Sequence, residues 1–437
     1  MRSREISYGI RTVAAASPLP LAGRERAPRA NQPANLSRRA ALQGVCVSFA
    51  AVMAPWPASA AGARDPRFVV IILRGAMDGL AAVAPIGDPD YASLRGPLAL
   101  AAAGERAGLP LDGFFVLHPA MPNLARLYGE KRALLVHATA TGYRERSHFD
   151  GQDVLESGYP GPGRTDSGWL NRAVALLLSA GGEKRRALSV GVTAPLVLRG
   201  PAPVLGWAPQ GLPSASDDLA ARALELYRHR DPALASALQA GLDTERMATK
   251  DGMSDEHRKN KGGMDQPNGM RQAAAGAARL LAAEDGPRVA ALSFEGFDTH
   301  QNEGGVTGQL ATRLAGLDGA FEELEKGLGA RWKDTTVVAI TEFGRTARIN
   351  GTNGSDHGTG TVAFLAGGAV AGGRVLADWP GLKSAQLYQG RDLAPTTDLR
   401  AVLKGLLSEQ LGISEPALAE KVFPDSRAVL ARQGLVV

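Results

Sequence analysis

The feature that most limits the fold is the run 67–73 (RFVVIIL), continuously apolar after its arginine and ending in Arg74-Gly75-Ala76-Met77-Asp78-Gly79. A strand wetted on one face alternates polar and apolar residues. An unbroken β-branched run needs cover on both faces, as at the centre of a parallel sheet, and the glycine-bearing hexapeptide is the tight loop into which such a strand runs. Residues 133–137, 289–294, 335–341 and 361–365 read as comparable strands. Helical spacing of apolar residues falls between them, at 122–128, 168–178, 217–227, 270–283 and 310–328. This alternation predicts an α/β fold with a mainly parallel central sheet and helices on both faces. The stretch from about 244 to 269 is polar and aperiodic and is expected to be a mobile surface insertion.

The N-terminus reads differently. Residues 1–36 are rich in Arg, Ala and Pro, and Ser37-Arg38-Arg39 precedes an apolar stretch, 40–57, that ends at Ala58-Ser59-Ala60. A basic segment, an apolar segment and an A-x-A site are the three parts of an export signal. The paired arginines point to the twin-arginine route, with Leu42 matching its pattern and Ala41 standing where a bulky apolar residue is usual. Pro55 and Pro57 interrupt the stretch, which is short for a membrane anchor. The expected organisation is therefore an export signal over 1–60 and one α/β domain over 61–437, periplasmic or secreted, with the twin-arginine translocase as partner during export.

That division changes what the composition means. The formal net charge is +5, but the eight arginines and two glutamates of residues 1–60 contribute +6, so the remainder carries −1. No broad positive excess is left to bind a phosphate backbone, which argues against a nucleic-acid partner. The single cysteine, Cys46, also lies in the leader. Disulfides, thiolate nucleophiles and cysteine-ligated metals are thus excluded from the rest, and no later apolar stretch is long enough to span a bilayer.

In a parallel sheet, ligands gather beyond the carboxyl ends of the strands. Asp78 follows the first strand, where it either faces a ligand or only stabilises the turn. After the second comes Thr139-Ala-Thr-Gly-Tyr-Arg144-Glu-Arg146-Ser147-His148-Phe-Asp150, with a helix expected near Ser147. Ser147 there is either an N-cap or a hydroxyl in the positive end of a helix dipole, where Arg144 and Arg146 could reach the same anion. Asp298-Thr299-His300 can point a carboxylate and an imidazole at one divalent ion. Glu342 ends the next strand, followed by Arg345, and Asp356-His357 precedes the last. Carboxylates and imidazoles at successive strand ends point to one or two divalent ions, zinc, manganese, calcium or magnesium, held by oxygen and nitrogen.

The series Leu73-Arg-Gly-Ala-Met-Asp-Gly-Leu, Leu117-His-Pro-Ala-Met, Ser147-His-Phe-Asp, Phe297-Asp-Thr-His, Thr341-Glu-Phe-Gly-Arg-Thr and Asp356-His-Gly resembles the twin-arginine-exported bacterial family called domain of unknown function 1501. That family looks like a distant branch of the alkaline-phosphatase-like superfamily, whose members hold one or two divalent metals over a parallel sheet. The resemblance implies metal ligands at Asp78, Asp298, His300, Glu342, Asp356 and His357, and a nucleophile-position hydroxyl at Ser147. It also implies proton transfer by His148 or His118, with Arg144, Arg146 and Arg345 binding substrate. Phe343 departs from the pattern, standing where many members have a second ligand. Ser147-His-Phe-Asp-Gly lacks the Pro and Arg of the C/S-x-P-x-R motif, which argues against formylglycine sulfatase chemistry. The expectation is an exported metal-dependent hydrolase of phosphate or related esters, acting on a small-molecule or glycan ester. The alternative is a non-catalytic binding or assembly protein of the envelope on the same fold.

Overall fold

The run 67–73 is strand β1 (Arg67–Leu73), and each of its residues is buried. A computed structural model of the chain describes residues 64–164, 166–181, 186–209, 231–249 and 263–437, with the pairs 223–224 and 227–228. Arg64–Val437 forms one compact unit. Val69, Ile71 and Leu73 point to one face of the sheet, into a core with the helices Pro122–Gly129, Pro267–Ala282 and Gln309–Leu328. Phe68, Val70 and Ile72 point to the other, against the helices Trp169–Ser179 and Leu399–Leu411. Both faces are covered, which is why the strand carries no alternation.

The remaining strands are β2 (Val83–Ala84), β3 (Leu109–Pro110), β4 (Val116–Leu117), β5 (Ala133–Ala140), β6 (Ala187–Val190), β7 (Val204–Trp207), β8 (Val289–Phe294), β9 (Thr335–Ile340), β10 (Thr361–Ala366), β11 (Arg374–Leu376) and β12 (Thr397–Asp398). Strands β2, β4 and β3 form a small sheet. The main sheet has the order β11-β5-β10-β9-β1-β8-β6-β7, with β12 also on β5. Strand β1 pairs in parallel with β8, Phe68 opposite Val289, and with β9, Arg67 opposite Thr335. Strands β6 and β7 continue in parallel, and β11 and β12 run parallel to β5. Strand β10 is antiparallel to both β5 and β9, so among the described main-sheet strands it alone is reversed.

That reversal positions the site. A residue just before a parallel strand lies at the opposite edge of the sheet from residues just after its neighbours. Because β10 runs backwards, Asp356 and His357, which precede it, lie at the edge where β1, β8 and β9 end.

The expected elements differ from the observed ones in instructive places. Strand β9 ends at Ile340, and Thr341 already belongs to the loop. Strand β5 runs three residues past His137, bulged at Ala138, whose φ is 52°. The four-residue strands β6 and β7 are too short to carry a periodic signal. The helix Pro232–Thr249 covers the first residues of the expected insertion, and the helix Pro267–Ala282 begins inside it, with Pro267 supplying the fixed φ of a first helical position. Residues 250–262, most of the expected helix 217–227 and the export signal 1–60 lie outside the described residues. Among the described residues, no helix is long and apolar enough to cross a membrane.

Ile71 is inaccessible at the centre of the sheet. Ile71→Ala is expected to destabilise the protein by about 2–5 kcal/mol, read as a lower urea midpoint at unchanged slope. A change within experimental error would contradict the two-sided core.

Candidate metal centre

Four loops and one helix start meet at this edge. Two glycines let them approach. Gly75, with φ 113°, passes so close to the loop after β8 that a Cβ would lie 2.4 Å from the Asp298 amide nitrogen. At Gly354, a Cβ would lie 2.3 Å from the His300 carbonyl oxygen. Neither position admits a side chain without moving backbone.

Asp298 is the meeting point. Its Oδ1 lies 3.1 Å from His300 Nε2 and 3.4 Å from His357 Nε2, and its Oδ2 lies 3.4 Å from His148 Nε2. His300 Nε2 and His357 Nε2 are 2.9 Å apart. Behind each ring, Nδ1 faces an oxygen: Glu342 Oε1 at 2.8 Å for His148, the Arg146 carbonyl at 2.9 Å for His357, and Asp356 Oδ1 at 3.4 Å for His300. An acceptor behind Nδ1 fixes the hydrogen there and leaves a lone pair on Nε2, the arrangement of metal-ligating histidines. His148 Nε2 is buried and makes no hydrogen bond. Lone pairs facing a carboxylate and one another repel unless a cation or a shared proton sits between them. The side-chain donors of His148, Asp298 and His357 all lie within 4.8 Å of one another, with His300 at the more exposed edge. Three imidazoles and one carboxylate, with no sulfur, form a donor set suited to zinc more than to calcium or magnesium.

The electrostatics agree. The Asp298 carboxylate, then that of Glu342, favours the imidazolium form and pushes His148 up to about 9 against the effect of burial. Burial alone would raise the Asp298 carboxyl, but His148, His357 and Arg345 outweigh it and hold it far below the usual carboxylate range. Burial would likewise raise Glu342, yet His148 and the Gly75 amide, which donates to Oε1 at 2.9 Å, hold it down. Gln152 donates to the same oxygen at 3.2 Å. Phe343 walls the cluster, its ring stacked on His148 with centroids 5.2 Å apart and tilted against His357 at 5.3 Å.

The expected site residues sort into those that face the centre and those that support it. Asp298, His300 and His357 face it. His148, expected to transfer protons, joins them as a donor. Glu342 and Asp356, expected as ligands, stand behind His148 and His300 and orient them. Asp78 does not reach the cluster. Its Oδ1 caps the helix Gly79–Ala82 through the amides of Leu80 and Ala81, and its Oδ2 pairs with the buried Arg95 at 2.6 Å. Arg345, expected to bind substrate, is fully buried and turned inward. It donates to the carbonyls of Ala76, Ser355, Gly75 and Phe297 and to Asp298 Oδ1. Arg144 folds back on the carbonyls of Thr141 and Tyr143. Arg146 pairs with Asp392 at 2.8 Å and with Gln389, while its carbonyl holds His357. Ser147 occupies the N-cap position of the helix His148–Ser157, but its side chain makes no capping bond. His118 is bonded to the Gly305 carbonyl and the Ala120 amide instead of to a member of the cluster. Sequence reasoning missed Arg391, which donates to the His357 carbonyl and to Asp392, because no strand run precedes it.

A family model described as "Protein of unknown function (DUF1501)" matches residues 133–422, more than half of the chain. No curated protein matches it. Similar solved structures include a protein in the alkaline phosphatase superfamily from Vibrio parahaemolyticus, at 12% identity and a TM-score of 0.39, covering 79% of this chain and 66% of that one. A Bacteroides thetaiotaomicron protein described with glycosaminoglycan metabolism is 9% identical at a TM-score of 0.41, over 84% of this chain and 75% of that one. A phosphonate monoester hydrolase of Agrobacterium radiobacter is 13% identical at a TM-score of 0.31, over 80% and 74%. At these scores the likeness is one of outline, and this chain spans just under two thirds of the Vibrio protein's length.

The His148 shift has a consequence for stability without metal. A raised histidine pKa adds stability that is complete below about 6.5 and is lost as pH rises through about 9. The chelator-stripped protein is expected to melt at a lower temperature at pH 9.5 than at pH 6.5, and His148→Gln should flatten that slope. Added zinc should stabilise more as pH rises over the same window, since it displaces the proton. A metal-free melting temperature that rises with pH across this window would contradict the cluster.

Proposed function

Starting from a chain that belongs to the family described as Protein of unknown function (DUF1501), we propose an exported metal-dependent hydrolase of phosphate or related esters. The observation that carries this reading is the convergence of three imidazole Nε2 atoms on the Asp298 carboxylate. His148, Asp298 and His357 would hold the ion, with His300 completing the set on the exposed side. A divalent metal bound there would supply Lewis-acid polarisation of the ester oxygen and lower the pKa of an attacking hydroxyl.

The chain's own residues do the rest. Ser147 directly precedes His148 at the start of a ten-residue helix, and its hydroxyl is not engaged in capping that helix. The amides of the first helical turn have no partners within the helix, and they favour an anion at that end. Glu342 keeps the hydrogen of His148 on Nδ1, and Asp356 does the same for the more exposed His300. Phe343 gives the pocket a dry wall, which strengthens every charge interaction beside it. Arg146 and Arg391, both on Asp392, are the cations at the rim. Export by the twin-arginine route rests on Arg38, Arg39 and the A-x-A site of the leader.

A second reading, a non-catalytic binding or assembly protein of the envelope on the same fold, is favoured by the inward turn of Arg345 and Arg144. Metal analysis joined to an ester screen separates the two. The protein purified without chelators is expected to carry zinc or manganese, and His357→Ala should lose it. Phosphomonoester, phosphodiester or sulfate-ester reporters should be hydrolysed, with Ser147→Ala losing at least about 100-fold in kcat. A metal-free wild type would sink the hydrolase reading, and the absence of turnover on every reporter would favour the second.

A further inference from the structure

Beneath the metal centre lies a buried polar network to which the proposed reaction assigns no role. Asp78, Arg95, Glu303 and Ser355 are at most 1% exposed. Arg95 Nη2 lies 2.6 Å from Asp78 Oδ2 and 3.4 Å from Glu303 Oε1, and Ser355 Oγ donates to Glu303 Oε2 at 2.6 Å. Arg95 ends the helix Tyr91–Arg95, and the other three groups come from three loops at the same sheet edge. Asp78 follows β1, Glu303 follows β8 three residues after His300, and Ser355 precedes β10 two residues before His357.

Burying two carboxylates and a guanidinium is expensive, and apolar residues of similar volume would commonly serve stability as well or better. The placement gives the network a different use. The loop carrying His300 and the loop carrying His357 are joined along their backbones, Asn302 to Thr352, Glu303 to Asn353 and Ser355 to Thr299. Asn302 and Asn353 hold left-handed φ values of 48° and 55°, so both loops are bent at that seam. Outside the seam, Asn350 and Thr352 reach the His300 carbonyl. Inside it, the Ser355–Glu303 bond is the side-chain link, and Arg95 ties it to Asp78 and the first loop. A shift of either loop would separate His300 Nε2 from His357 Nε2, now 2.9 Å apart.

Resting on the metal-centre reading, we infer that Glu303 is a positioning residue, which through Ser355 sets the separation of the His300 and His357 loops and so the affinity and geometry of the bound ion. Burial and the neighbouring Asp78 raise Glu303 to about 8, so its carboxyl is largely neutral at pH 7 and acts as a hydrogen-bonding link more than as a charge. Glutamine at this position keeps one oxygen to accept from Arg95 and an amide that can donate to Ser355 Oγ, and alanine removes both links.

The test uses the purified, chelator-stripped protein titrated with cobalt(II), read by its visible absorption bands, and with zinc in competition with a chromophoric chelator. Glu303→Ala is expected to bind roughly 10–100-fold more weakly, the range found when a partner behind a metal ligand is removed, and to give altered cobalt bands. Glu303→Gln should stay near wild type in affinity and bands. Ser355→Ala, which leaves the buried charges in place, should weaken cobalt binding in the same direction and decides the matter if Glu303→Ala does not fold. Wild-type affinity and bands in folded Ser355→Ala and Glu303→Ala, or a Glu303→Gln as weak as Glu303→Ala, would overturn the inference. A wild type that binds neither cobalt nor zinc would instead overturn the metal-centre reading on which it rests.

Discussion

The candidate site depends on one carboxylate and the guanidinium that holds it. Asp298 is held in the ionised state by Arg345, His148 and His357. Arg345 is itself immobilised by the carbonyls of Gly75, Ala76, Phe297 and Ser355, which belong to the loops after β1 and β8 and before β10. One buried guanidinium thereby fixes three backbone segments and the Asp298 carboxylate together. A charged group in that position would be costly if left unpaired. Here its hydrogens are directed at acceptors that the fold must bring together for the three imidazoles to meet. The lysine isostere of Arg345 could not do this, because a single ammonium has neither the reach nor the fork.

The second dependency is topological. In an all-parallel sheet, His357 would lie at the edge opposite His148, Asp298 and His300. The antiparallel β10 removes that obstacle, and its reversed entry carries the Asp356-His357 loop across the ends of β9 and β1. Gly75 and Gly354 then let the loops close to contact distance. Helix and strand placement explains which groups face the centre. The loops supply Asp298, His300 and His357, and the start of the helix His148–Ser157 supplies the fourth donor, on a rigid element.

Much of this was legible in the sequence, and the failures are physical. β1, β5, β8, β9 and β10 were visible because buried strands must be apolar throughout, and the strand-end rule led to Asp298, His300 and His357. The rule could not tell which strand-end carboxylates face a ligand. Asp78, Glu342 and Asp356 share that position with Asp298, yet one caps a helix and pairs with Arg95, and the other two orient imidazoles. That distinction depends on contacts such as His148 with Glu342 and His300 with Asp356, 194 and 56 residues apart in the chain, which leave no local pattern. Arg345 misled for a related reason: a cation after a strand looks like an anion site until the carbonyls around it are known. His148 was recognised as chemically active, but its place beside Asp298 was not legible, because the acceptor behind its Nδ1, Glu342, is 194 residues away.

The arrangement proposed for this site is three imidazoles and one carboxylate around a single cation. X-ray absorption at the zinc edge of the zinc-loaded protein tests it most directly. A first shell of nitrogen and oxygen at about 2.0–2.2 Å, with the outer-shell scattering of about three imidazole rings, is the predicted spectrum. A first shell without imidazole scattering, or zinc bound with the same spectrum after Asp298→Ala and His357→Ala, would contradict it.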